Sequence, residues 1–264
     1  MKNKVVIITG ASSGIGKALA FQYAAKDAKL VLASRSGLIA DEIYKFGSEI
    51  LIVKTDVSKE SDCKELIRQA VEKFGAIDIL INNAGISMRA IFEEVDLNVI
   101  RQLMDTNFWG TVYCTKFALP FLLKSKGSLI GISSIAGYKG LPGRSGYSAS
   151  KFAMQGFLEV VRIENLKKNL HVLIACPGFT TSNIRNVALS ADGSAQGETP
   201  LDESKLMSAG TVAKYVIEAI EKRKDLLILT TQGKMTVMLN KFFPKFMDKI
   251  VYNHIAKEPN SPFK

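Results

Sequence analysis

The chain opens with Lys4 to Thr9 (KVVIIT), continues as Thr9 to Gly16 (TGASSGIG), and runs on as Gly16 to Lys26 (GKALAFQYAAK). The first run is short, β-branched and apolar, the pattern of a parallel strand buried on both faces. The third has helical spacing. Strand, glycine-rich turn and helix form the context that a dinucleotide site requires. Gly10 suits the tight turn, while Gly14 and Gly16 let backbone and helix approach a pyrophosphate closely. Unpaired N–H groups at the helix N-terminus then favour the anion. The glycines give GxxxGxG rather than the GxGxxG of ordinary dinucleotide-binding folds. A glycine turn with a purely structural role is the bland alternative.

The same alternation continues along the chain. Strand-like runs lie near 4–9, 29–33, 50–54, 78–82, 127–132, 169–175 and 226–229; helix-like patterns lie near 15–26, 37–47, 59–74, 97–124, 147–168 and 211–223. This spacing predicts an α/β fold, a Rossmann-like doubly wound parallel sheet with helices on both faces. At 264 residues and 47% hydrophobic content the chain is ample for one such domain, 1–264. The irregular stretch at about 183–209 is long enough to predict a substrate-loop lid. No apolar run reaches the ~18 residues of a membrane span, and the N-terminal run is too short for a signal peptide. Cys63, Cys114 and Cys176 are widely spaced with no CxxC pair, which points to reduced thiols and a cytoplasmic setting. His171 and His254 are the only histidines and neither sits in a metal-ligand cluster; His171 reads as structural within LHVLIAC.

A second motif supplies chemistry. Tyr147-Ser-Ala-Ser-Lys151 (YSASK) places a phenol and an ammonium four residues apart, within roughly 40° on one helical face. A nearby cation favours phenolate, so Lys151 is expected to lower the Tyr147 pKa. Tyr147 then suits a general acid towards a ketone or a base towards an alcohol. Alone, YxxxK is more often a tyrosine and a lysine on a helix surface.

Here the motifs occur together: TGxxxGIG, Asp56, NNAG at 82–85, Asn107, Ser134, YxxxK and Pro177-Gly178. In that order and spacing the chain resembles the tyrosine–lysine short-chain dehydrogenase/reductase family along about 230 of its 264 residues. The resemblance implies a doubly wound sheet of about seven strands with a nicotinamide cofactor at its carboxyl edge. It implies that Asn107, Ser134, Tyr147 and Lys151 are catalytic. Ser134 would hydrogen-bond the substrate carbonyl, and Asn107 would bend its helix and hold a relay water. Tyr147 and Lys151 would also contact the cofactor, Lys151 at the nicotinamide ribose. Cofactor contacts would come from Gly10, Ser12, Ser13, Gly14, Ile15 and Gly16 in the turn. Further along, Asp56 and Val57 would meet adenine, while Asn83, Ala84 and Gly85 would wall the middle of the cofactor. Pro177, Gly178, Thr180 and Ser182 would cross the nicotinamide, with Ser182 standing where the family usually has threonine. Ser133 would be structural.

Cofactor choice has a physical reading. An NAD-preferring site places a carboxylate at the end of the second strand. Here KLVLA ends in Ser34-Arg35-Ser36, with no acid. A guanidinium and two hydroxyls suit a 2′-phosphate, so NADP(H) is expected over NAD(H). Ser13 departs from the basic residue that some NADP-dependent relatives carry, and Arg35 alone carries the expectation. Arg35 stacked on adenine with either cofactor is the alternative.

The net charge of +10 concentrates late in the chain. From Lys222 to Lys264, nine Lys/Arg oppose three acids. Residues 232–264 form a basic extension interleaved with bulky apolar groups, including Met235, Met238, Phe242, Phe243 and Phe246. Such a segment reads either as a membrane-surface element or as helices packed over the substrate pocket or a subunit interface. No nucleic-acid motif accompanies it, and no nucleic-acid partner is expected. Helix patterns 97–124 and 147–168 are apolar on more than one face, which predicts a homodimer or homotetramer. The leading reading is an NADP(H)-dependent oxidoreductase acting on a carbonyl or secondary alcohol. Phe179, Leu206 and Met207 lean towards a hydrophobic substrate. The alternatives are a cofactor-sensing binding protein without catalysis and a peripheral membrane protein whose tail is its main surface.

Overall fold

A computed structural model of the chain describes residues 1–181, 184–197, 206–257, 261 and 263. Strand β1 (Val5–Thr9) leads through the glycine turn into α1 (Gly14–Ala24), followed by β2 (Lys29–Ser34), β3 (Ile50–Lys54), α2 (Glu60–Phe74) and β4 (Ile79–Asn82). The chain continues as α3 (Leu97–Leu103), α4 (Gly110–Ser125), β5 (Ser128–Ile132), α5 (Ser145–Glu164) and β6 (His171–Cys176). The short strands β7 (Thr180–Thr181) and β8 (Met207–Ser208) pair with one another and precede α6 (Ala209–Glu221) and β9 (Leu226–Ile228). Two helices close the described chain, α7 (Thr231–Phe242) and α8 (Pro244–Ala256).

The main sheet has seven strands in the order β3-β2-β1-β4-β5-β6-β9, and all six pairings are parallel. Strand periodicity explains its two covers. In β1, Val6 and Ile8 face α1 and α6, joining Leu19, Tyr23, Val212 and Ile217 in one core. Val5 and Ile7 face the opposite layer of α2, α4 and α5, with Leu66, Leu122 and Leu158. Strand order reverses between β1 and β4, so a crevice opens beyond the carboxyl ends of those strands.

Four helix expectations change. Residues 37–47 form only a 3₁₀ segment, Asp41–Phe46, in which Ile43 alone is buried. Gly37 and Gly47, both at positive φ, bracket it, and one apolar anchor cannot hold a longer helix on the sheet. The 97–124 pattern is interrupted by a π-helical turn at Met104–Trp109. Helix α6 starts at 209 rather than 211, because Ser208 caps it by accepting from Thr211 N. The 3₁₀ turn Leu166–Lys168 follows α5 after Asn165, beyond the end of the helix proper.

Candidate active site

The motif residues come together at the carboxyl edge of the sheet. Gly10 has φ +66, and a Cβ there would lie 2.9 Å from Ala84 Cα. At Gly16 a Cβ would meet Gly10 O at 2.2 Å, so this glycine serves helix–strand packing inside the protein. Asn83 stitches β4 to β1: its Nδ2 donates to Thr9 O (2.9 Å) and Gly10 O (3.2 Å). Thr9 Oγ1 accepts from the N–H groups of both Asn83 and Ala84. Ser12 and Ser13 are exposed, and Ser13 precedes α1 without a side-chain cap, so the first-turn N–H groups of that helix face the crevice uncapped. Gly14 and Ile15 lie partly exposed beside them.

The π-helical turn has a visible cause. Asn107 is fully buried and spends its amide on the neighbouring loop and α5. Its Oδ1 accepts from Ile86 N (2.8 Å), and its Nδ2 donates to Ile86 O (3.0 Å) and Ser150 Oγ (2.9 Å). Ser150 in turn donates to Tyr147 O (2.8 Å), which ties the turn to the YSASK helix. A Cβ on Gly85 would stand 3.0 Å from Asn107 Oδ1 and 3.5 Å from Lys151 Nζ, so this glycine keeps the amide and the ammonium close.

Tyr147 is half-buried, packed on the cluster of Met88, Val99 and Leu103 with Leu189 from the 184–197 loop. Lys151 is buried and donates to Ile132 O at 2.9 Å, with Nζ 5.8 Å from the Tyr147 ring centroid. The expected lowering of the Tyr147 pKa does not occur. Burial pushes the phenol up, outweighing its hydrogen bond with Ser134 and the nearby Arg144 guanidinium. The same burial pushes the Lys151 ammonium down to about 8. Desolvation dominates because Tyr147 packs on Leu189 and its neighbours while Lys151 is enclosed against Ile132 and Gly85, a feature of packing that a YxxxK spacing does not carry.

Ser134 lies two residues beyond β5, half-buried, and its Oγ accepts from Ala136 N (3.1 Å). Ser133 turns inward to accept from Gln155 Nε2 (2.8 Å), in keeping with a structural role. Pro177 is buried, and Gly178 lies against Thr230, which a Cβ would meet at 2.9 Å. Thr180 is buried; it donates to Gly178 O (3.0 Å) and its own carbonyl accepts from Arg185 (3.0 Å). Ser182 lies outside the described residues.

The 184–197 part of the expected lid is pinned by main-chain bonds. Arg89 N donates to Leu189 O (2.9 Å), Leu189 N to Ser87 O (2.9 Å) and Asp96 N to Ala191 O (2.8 Å). Residues 198–205 of that lid lie outside the described residues. Of the residues read as leaning towards an apolar substrate, Phe179, Leu206 and Met207 are all partly exposed, and Met207 also packs against the core that α1 and α6 share. His171 sits in β6 with Nδ1 against Ser128 Oγ (3.0 Å) and Nε2 against Lys224 O (2.9 Å), away from the site.

At the other end of the crevice, Arg35 is exposed just beyond β2, with Ser34 buried and Ser36 exposed beside it. A cleft of about 290 Å³ opens there, lined by Arg35, Lys54, Asp56, Lys59, Asp62 and Glu65. Its acids are engaged locally. Asp56 accepts from Ser58, Asp62 accepts from Asp56 N, and Arg68 holds the Glu65 carboxyl down to about 2. Its cations have no ion-pair partner among the described residues. Val57 points into the core against Gly110, so only its main chain can meet a ligand. Neither Lys54 nor Lys59 belongs to one of the sequence motifs. The parallel register Ser34↔Lys54 is the signal that places Lys54 beside Arg35.

Residues 4–192 match the sequence profile of the short chain dehydrogenase family. This chain is a short-chain dehydrogenase. An Arabidopsis thaliana protein named 11-beta-hydroxysteroid dehydrogenase-like 4A is 37% identical over 253 residues, 94% of this chain and 83% of that protein. A short chain dehydrogenase/reductase from Burkholderia phymatum in complex with NAD superposes with a TM-score of 0.83 at 26% identity, covering 93% of this chain and 95% of that one. An alcohol dehydrogenase from the archaeon Thermococcus sibiricus, complexed with 5-hydroxy-NADP, gives a TM-score of 0.76 at 26% identity over 86% of this chain and 96% of that one. As a member of this family the protein is an oxidoreductase that moves hydride between a nicotinamide cofactor and the CH–OH or C=O group of a small molecule. Solved relatives bind either dinucleotide, so the choice between them rests on this chain's own residues.

Proposed function

We propose that this short-chain dehydrogenase uses NADP(H) to interconvert an apolar ketone and its secondary alcohol. The observation that carries this reading is the convergence of Ser134, Tyr147 and Lys151 beside the apolar cluster of Met88, Leu103 and Leu189, with three cations at the far end of the crevice that have no ion-pair partner among the described residues. The residues fit the cofactor. The uncapped start of α1 offers N–H groups to a pyrophosphate, and Arg35 with Lys54 and Lys59 offers positive charge to a 2′-phosphate. The bound cofactor supplies the hydride. Ser134 orients the substrate carbonyl oxygen, and the Tyr147 hydroxyl gives that oxygen its proton in reduction or takes it in oxidation. A raised Tyr147 pKa suits the acid role, since the phenol stays protonated across the neutral range. Lys151, while charged, steadies the ribose and the negative charge that develops on Tyr147. Asn107 and Ser150 hold the helix that carries both.

The pH dependence follows from Lys151. Its folded pKa of about 8 lies below the usual lysine value, so the ammonium is present below that pH and lost as pH rises through it. The kcat/KM for NADPH-driven reduction of an apolar ketone should therefore fall on the alkaline side near pH 8. A panel of ketones of graded size, followed by loss of the nicotinamide absorbance across the neutral and alkaline range, tests both parts. A profile flat well above pH 8, or a preference for small charged carbonyl compounds, goes against the reading.

The protein also reads as a homodimer or homotetramer built about a two-fold axis. Trp109, Phe152, Val160 and Ile163 are large apolar side chains left exposed around α4 and α5, while the inner faces of these helices are spent on the sheet. Light scattering at micromolar concentration should give at least twice the 28.9 kDa chain mass. A monomer mass would count against it. Cys63, Cys114 and Cys176 are free and buried, which accords with a reducing, cytoplasmic setting.

A further inference from the structure

The C-terminal hairpin of α7 and α8 has two faces of different character. Its inner face closes over the loop between Ser134 and Tyr147. Met247, Val251 and Ile255 of α8 pack with Leu239 of α7 and Leu141 of that loop. Asn240 Nδ2 donates to Tyr138 O (3.0 Å), and the buried Lys139 ammonium pairs with Asp248. Gly233 sits against Ile135, directly after Ser134, where a Cβ would come within 2.9 Å of Ile135 Cδ1. The hairpin is thus clamped to the active-site loop by apolar, hydrogen-bonded and ionic contacts.

The outer face has no such cover. On α7, Lys234, Met235, Met238, Lys241 and Phe242 are exposed at i, i+1, i+4, i+7 and i+8, one continuous stripe of a helix. Phe243 at the corner is 59% exposed, and Phe246 and Ile250 of α8 are 57% and 41% exposed. Lys245 and Lys249 stand beside them, also exposed. Between 231 and 257 there are five lysines and one aspartate, and that aspartate is spent on Lys139. Bulky apolar side chains that nothing in the described chain covers, interleaved with unpaired lysines, complement a surface that is anionic outside and hydrocarbon beneath. At 12 and 13 residues, α7 and α8 are each too short to span a bilayer, so contact through them lies in the plane of the interface.

We propose that the outer face of the α7–α8 hairpin is a docking surface for an anionic lipid bilayer, with Phe242, Phe243 and Phe246 entering the acyl boundary and Lys241, Lys245 and Lys249 meeting the headgroups. Because the inner face is clamped to the Ser134–Tyr147 loop, docking sets the rim of the active site against the lipid. This goes beyond the redox reading and stands or falls separately from it.

Flotation of the full chain with vesicles tests it. The protein should float with phosphatidylcholine vesicles containing phosphatidylserine and stay behind with phosphatidylcholine alone. Raising the salt to about 0.5 M should release much of it, because the lysine contribution is screened. Two variants should each weaken the partition by about tenfold or more: Phe242→Ser with Phe246→Ser, and Lys241→Glu with Lys245→Glu and Lys249→Glu. Both should keep NADPH affinity, which shows that the fold is intact. The proposal is overturned if the native chain does not float with anionic vesicles, or floats equally with neutral ones. It is also overturned if the phenylalanine variant leaves flotation unchanged, or if that variant splits a larger assembly in solution, which would make a second copy of the chain the occupant.

Discussion

Tyr147→Phe is expected to turn over its best carbonyl substrate about 10²–10⁴-fold more slowly than the native enzyme while binding NADPH within a few-fold, the range for loss of a positioned acid–base group. The substitution keeps the ring that packs on Met88, Leu103 and Leu189 and deletes only the hydroxyl that pairs with Ser134. The cofactor contacts assigned to Lys151 and the glycine turn are untouched. Steady-state rates with a fluorescence titration of NADPH separate the two quantities. A near-native rate would remove Tyr147 from the chemistry. A parallel loss of rate and NADPH affinity would make its hydroxyl chiefly a cofactor contact.

The second large effect concerns Arg35. A guanidinium that meets a 2′-phosphate makes a charge-assisted hydrogen bond that NAD(H) cannot use, worth about 1.5–3 kcal/mol. That corresponds to roughly a ten- to hundredfold preference for NADP(H). Lys54 and Lys59 on the same cleft act in the same direction. Replacing Ser34 with Asp and Arg35 with Ala should invert the preference, since it removes the cation and sets a carboxylate where a 2′-phosphate would lie. The measurement is the ratio of kcat/KM for NADPH to that for NADH in both proteins. Equal values in the native enzyme, or a double variant that still prefers NADPH, would show that Arg35 does not decide the choice. The second outcome would shift the role to Lys54 and Lys59.

Much of the fold was legible because its signals are local. KVVIIT followed by TGASSGIG dictates a strand, a tight turn and a helix within a few residues, and every later buried strand repeats the apolar run. The Met104–Trp109 turn was legible only as a bend at Asn107, since its cause is a bond to Ile86, which is distant in sequence. The 37–47 helix failed because helical propensity there has one buried anchor, Ile43, and tertiary packing decides such short segments.

The site divided along the same line. Residue types and order brought Ser134, Tyr147 and Lys151 to one place, but the direction of the Tyr147 pKa depends on how much protein covers it. Burial exceeds the local cation effect there. Lys54 and Lys59 went unread because their relevance comes from strand register and loop placement across β2 and β3, not from any motif. For Val57 and Gly16 the motif position was informative, yet their side-chain spaces are taken up by the protein itself, against Gly110 and Gly10. The tail left two readings open in the sequence, and its two faces explain why: an inner apolar stripe and an outer one share the same residue types.

The central claim, that this short-chain dehydrogenase transfers hydride between a nicotinamide and a carbonyl carbon, is tested most directly by isotope transfer. With NADPH carrying deuterium at both C4 positions, the alcohol formed from the best ketone substrate should be one mass unit heavier, with the label on the carbinol carbon, and one NADPH should be consumed per alcohol formed. An alcohol without label, or bound NADPH that is not consumed in the presence of any ketone of the panel, would contradict it.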